Sequence, residues 1–87
     1  MPDLAEIKQK ACERLSEYLE RQVTEDDLVL GYHEIGADSS DVVVLAFELE
    51  KWIGHPIEPE LFLKYESVAE ALELVARNIG DGDNEAA

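Results

Sequence analysis

Gly36-Ala37-Asp38-Ser39-Ser40-Asp41-Val42-Val43-Val44-Leu45-Ala46-Phe47-Glu48-Leu49-Glu50 decides how the rest of the chain must fold. It reads as a helix opening at a serine. Asp38 can cap it, with Ser39 at the first helical position and Asp41 at the third, a relative of the capping box. Gly36 allows a tight turn just before the cap. The Ser39 hydroxyl then lies at a helix N-terminus, on a turn, where another protein can reach it. At about 100° per residue, Val42, Leu45, Ala46, Leu49 and Ile53 share one face, the expected core stripe. Val43, Val44 and Phe47 fall opposite, beside Ser40, with Asp41, Glu48 and Glu50 flanking them. A helix needs only one apolar stripe to fold. A second one bordered by acids predicts a docking face for a basic partner. If Phe47 were core instead, that prediction would fail.

Outward from this helix, the pattern predicts an all-α bundle. Asp3 and Glu6 can cap a first helix that runs to about Arg21 or Gln22, with Leu4, Ile7, Ala11, Leu15, Tyr18 and Gln22 on its inner side and Leu19 beside them. Val23 to Ala37 is long for a structureless loop, so a short helical turn is expected near Leu28 or His33, with Tyr32 and Ile35 packing inward. The second helix ends near Trp52-Ile53-Gly54, with Trp52 at the edge of the core face. Pro59 can open a small helix over Glu60, Leu61, Phe62 and Leu63. Ser67-Val68-Ala69-Glu70 is a capping box for a last helix, whose stripe is Val68, Ala71, Leu72, Val75 and Ile79 and whose end is set at Gly80. The expected main helices lie near 4–21, 39–53 and 67–79, with a short one near 59–64. Residues 1–80 read as one domain and 81–87 as a flexible acidic tail.

Composition narrows the function. The chain has 87 residues, enough for one small core. Seven basic side chains stand against 21 acidic ones, which disfavours nucleic acid and anionic membranes as partners. No apolar run approaches the ~20 residues of a membrane span. The N-terminus has no signal-peptide pattern, and the single cysteine, Cys12, suits a reducing compartment. A cytoplasmic monomer is the expectation. No catalytic set and no metal-ligand spacing is present, and His33 and His55 read as loop residues with no chemical partner. In the tail, Asp81 and Asp83 have the spacing of a calcium loop, but its glycine and closing glutamate are missing.

Gly36-Ala37-Asp38-Ser39 before an acid-flanked apolar helix resembles the acyl carrier proteins and the related peptidyl carriers, across the chain from about Leu4 to Ile79. The resemblance implies a four-helix bundle of three main helices and a short third one. It implies a 4'-phosphopantetheine arm from coenzyme A on Ser39, next to Asp38, with no catalysis by the carrier itself. It implies partner contacts through Ser40, Asp41, Val43, Val44, Phe47, Glu48 and Glu50, and an acyl groove near the third helix with Leu61, Phe62 and Tyr65 as candidates. The implied partners are a phosphopantetheinyl transferase, an acyltransferase or adenylation-type loading enzyme, and a ketosynthase or similar enzyme. The chain departs from the family at Ser40, where leucine is usual, which bears on the choice of transferase. Val44, where fatty-acid carriers often have glutamate, and the Lys64-Tyr65-Glu66-Ser67-Val68 junction look more like polyketide and peptide carriers. Polyketide or related secondary metabolism is therefore expected. A fatty-acid carrier, an aminoacyl or peptidyl carrier, and an unmodified acidic helical adaptor remain the alternatives.

Overall fold

A computed structural model describes residues 2–86, with side chains described for 2–79. The chain runs through α1 (Leu4–Leu19), a 3-10 turn (Asp27–Val29), α2 (Ser39–Ile53), α3 (Glu60–Lys64) and α4 (Val68–Ala86). Among the described residues there is no strand. The all-α bundle of three main helices and a short third one is the one the sequence implies.

The three long helices start where their cap residues dictate. Asp3 Oδ1 accepts the Glu6 N–H at 2.9 Å, and Glu6 Oε1 accepts the Asp3 N–H at 3.3 Å, so two donors at the start of α1 are satisfied reciprocally. Ser67 Oγ accepts the Glu70 N–H at 3.1 Å at the start of α4. The stripes close on one core. Ile7, Ala11 and Leu15 of α1, all five expected residues of α2, and Val68, Ala71, Leu72, Val75 and Ile79 of α4 are buried together. Val23, Leu28, Ile35, Ala37, Ile57 and Phe62 complete it from the connections and α3.

Some boundaries differ from the expected ones, each for a local reason. α1 stops at Leu19 because Glu20 turns left-handed, at φ 54° and ψ 38°. The Ser16 hydroxyl then accepts the Val23 N–H at 2.9 Å while donating to the Cys12 carbonyl at 2.6 Å, which folds the chain back. Val23 is buried by this reversal, and Gln22, expected on the inner stripe, is exposed. Pro59 sits one residue earlier than expected, as the residue preceding α3. α4 continues past Gly80 and Gly82, since each glycine weakens a helix by about 1 kcal/mol without necessarily ending it. The tail expected over 81–87 falls outside the residues whose side chains are described. Trp52 is not a packing residue at the edge of the core. It is 40 % exposed, and Lys10 Nζ lies 5.6 Å above its ring, clipping α1 to α2 from outside.

The long connection is held by two contacts that no local pattern announces. The Val68 N–H donates to the Leu30 carbonyl at 3.1 Å, tying it to the start of α4. At Gly31 the chains approach so closely that an added Cβ would lie 2.9 Å from the Glu66 carbonyl oxygen. Gly31→Ala should therefore cost about 1–3 kcal/mol through overpacking, a loss readable in a urea melt. A wild-type midpoint would show that the two connections slide apart freely.

Candidate functional site

The stretch ahead of α2 alternates between anchor and display. Ile35 and Ala37 are buried, whereas Gly36, Asp38, Ser39 and Ser40 are exposed. Gly36 has φ 96°, a conformation that side chains resist, so glycine is required at this bend. Asp38 is extended at φ −109°, ψ 179°, and its Oδ1 accepts the Asp41 N–H at 3.0 Å. Asp41 Oδ2 in return accepts the Asp38 N–H at 3.1 Å. This reciprocal box consumes the donors of residues 38 and 41 and leaves the Ser39 and Ser40 N–H groups without intrahelical partners. An exposed hydroxyl beside free amides, at the positive end of a helix dipole, suits a phosphodiester on Ser39 Oγ.

The outer face of α2 is placed as its period requires. Val44 is 43 % and Phe47 56 % exposed, Val43 is half-buried, and Ser40 is exposed beside them. The flanking acids are less free than their spacing implied. Asp41 is held in the cap. Glu48 Oε2 lies 3.3 Å from Arg14 Nη1 of α1. Glu50 Oε1 accepts the Ile57 N–H at 2.9 Å and so fixes the turn after α2. All three are half-buried.

The three groove candidates fall in different surroundings. Phe62 is 1 % exposed and belongs to the core, so its ring would have to move for an acyl chain to lie against it. Leu61 is half-buried against that core. Tyr65 lines an open pocket of about 310 Å³ with Glu70, Glu73, Leu74 and Arg77, a set that contains no α2 residue. Leu63, which the sequence did not single out for the site, is the exposed apolar member of the short helix at 44 %.

Among the described residues no other reactive centre competes with the serine turn. Burial pushes the Cys12 thiol up from 9.0 to about 11, helped by the negative charge of Glu25 and Asp27, which makes it a poor nucleophile. The exposed His33 ring lies 4.1 Å from the Tyr32 ring, centroid to centroid. No group of metal-ligating side chains occurs among the described residues, and no described helix is long and apolar enough to cross a membrane.

A family model described as the phosphopantetheine attachment site matches residues 9–75. The chain belongs to the phosphopantetheine-binding carrier family. Its cofactor is 4'-phosphopantetheine, and the domain is a carrier and not an enzyme. Over 72 residues the carrier is 31 % identical to polyketide synthase PksM of Bacillus subtilis (strain 168), an alignment taking in 80 % of this chain and 2 % of that protein. No solved structure matches it. Membership of a family defined by its prosthetic group removes the unmodified adaptor.

Two measurements check the packing. Phe47→Ala should change stability by no more than ~0.5 kcal/mol, as at an ordinary surface site. Phe62→Ala should cost roughly 3–5 kcal/mol, as in a core. A large loss at Phe47 would place it in the core and remove the outer stripe. The pH dependence follows from Cys12 and Tyr18. Burial raises the Tyr18 phenol, and the Glu48 carboxylate, close by but outside hydrogen-bond geometry, acts in the same direction. With both folded-state values raised, the unfolded chain loses these protons first as pH rises. Their contribution is complete below pH 9.0; the Cys12 part is lost as pH climbs through about 11 and the Tyr18 part from pH 10.0 upwards, so the melting temperature should fall above pH 9.0. Cys12→Ser should flatten the early part of the fall.

Proposed function

We propose that Ser39 carries the phosphopantetheine arm and that the domain holds acyl intermediates as thioesters for polyketide-type biosynthesis. The observation that carries this reading is the exposed Ser39 hydroxyl at the first position of α2, with Asp38 and Asp41 locking the cap around it. In loading, Ser39 Oγ bonds to the phosphorus of coenzyme A that bears pantetheine. The bond from that phosphorus to the adenosine bisphosphate breaks, and the hydroxyl proton passes to a base of the transferase. This chain's part is to present the oxygen and to receive the resulting anion on free amides.

The polyketide assignment is supported by the similarity to a polyketide synthase, of which the chain spans only 2 %. Its partners would be a phosphopantetheinyl transferase, an acyltransferase or adenylation-type loading enzyme, and a ketosynthase. They would dock on Ser40, Val43, Val44 and Phe47, whose exposure supports a small transient interface. Asp41, Glu48 and Glu50 would contribute negative potential there while keeping their internal contacts. Fatty-acid and aminoacyl cargo are separated from polyketide cargo by which loading enzyme accepts the holo protein.

Intact mass after incubation with coenzyme A and a broad-specificity transferase should show one added arm on the wild type and on Ser40→Ala, and none on Ser39→Ala. Equal loading of Ser39→Ala would move the attachment elsewhere. Phe47→Ala should melt like wild type, yet transfer cargo to or from a partner more slowly. Unchanged transfer would rule out this face as the docking surface.

A further inference from the structure

The geometry points to Arg21 as a positioning residue for the serine turn, an inference that rests on Ser39 carrying the arm. Glu20, left-handed at φ 54°, swings the chain so that Arg21 lies against the long connection. Its Nη2 donates to the Ile35 carbonyl at 2.7 Å and its Nη1 to the Gln22 carbonyl at 3.2 Å. Nη1 also lies 3.7 Å from Asp27 Oδ2, and that same oxygen accepts the Thr24 N–H at 3.0 Å. One guanidinium thus ties the exit of α1 and the 3-10 turn to the peptide that immediately precedes Gly36.

That peptide is the weak point of the turn. Glycine at φ 96° has no Cβ to hold the Ile35–Gly36 plane in one orientation, so its hydrogen bonds must hold it. On the N–H edge of that plane the Gly36 N–H donates to the His33 carbonyl at 3.1 Å, and the Ala37 N–H of the next peptide donates to the Tyr32 carbonyl at 2.9 Å. Neither bond holds the Ile35 carbonyl. Arg21 does, and so it clamps the second edge of the plane and reinforces the orientation from which the chain rises to Asp38 and Ser39. The planar fork serves both carbonyls and the carboxylate together, which the point charge of a lysine cannot. The Arg21 side chain is 44 % exposed, so its contacts contribute little to global stability, and their effect belongs to the local population of the turn.

The test compares Arg21→Gln, Arg21→Lys and Ser39→Ala with the wild type in the full chain. In Arg21→Gln, amide hydrogen exchange at Gly36 and Ala37 should quicken about fivefold, the equivalent of one modest hydrogen bond. Exchange at Leu45 and Leu72 in the core should stay the same. In transferase assays with coenzyme A, the KM for the carrier should rise by about the same factor with kcat kept, because only the competent fraction of turns is recognised. Arg21→Lys should recover part of both effects. Wild-type exchange at Gly36 and Ala37 together with wild-type KM would overturn the positioning role, as would equal quickening in the core. Loading of Ser39→Ala at the wild-type rate would overturn the attachment site instead, and the exchange data would distinguish that failure from the first.

Discussion

Leu45 and Leu49 fix the rotation of α2, and that rotation fixes what the protein shows its partners. Both are fully buried, on a helix that packs against α1 and α3. A helix is rigid about its axis, so once these side chains enter the core the opposite side has no freedom left. Val44 and Phe47 must face solvent, and the first turn must bring Ser39 to the surface. In a chain with one small core, the hydrophobic effect that folds the helix also aims its outer face. Burial of one stripe and exposure of the other are a single event.

The start of α2 was legible in the sequence for the same reason. Gly36, Asp38, Ser39 and Asp41 act on neighbours within one turn, so spacing alone states their roles. The stripes of α1, α2 and α4 were legible because a 3.6-residue period survives any arrangement of the helices. What was hidden involves partners distant in sequence. Nothing near Glu48 announces Arg14, and nothing near Glu50 announces the Ile57 N–H. The two acids therefore read as free surface charge when each has a task inside the fold. Phe62 shows the limit of a short helix, since over Glu60–Lys64 too few turns exist for a period to tell core from rim. Trp52 fell on the margin of the stripe, where a few degrees separate packing from exposure, and Lys10 settles it from another helix.

Charge acts on two scales here. The net charge of −14 sets a broad negative field that draws basic surfaces from a distance. At contact range the acids of α2 are partly occupied, so on the proposed docking face the apolar side chains of Val44 and Phe47 would make the closest approach. Such a division suits a protein that must meet several enzymes and leave each one. Long-range attraction raises the encounter rate, and a small apolar centre keeps the complexes short-lived.

The crowding of Gly31 against the Glu66 carbonyl reaches beyond its own stability. It joins the segment leading to the serine to the segment leading into α4, through a gap that admits no side chain. The interchangeable unit of this carrier is consequently not a contiguous loop. A chimera that imports residues 23–38 from a relative brings its own residue to that gap and meets a host backbone shaped for glycine. The import and the 65–68 junction form one discontinuous module, and the two must be exchanged together for the serine to keep its place.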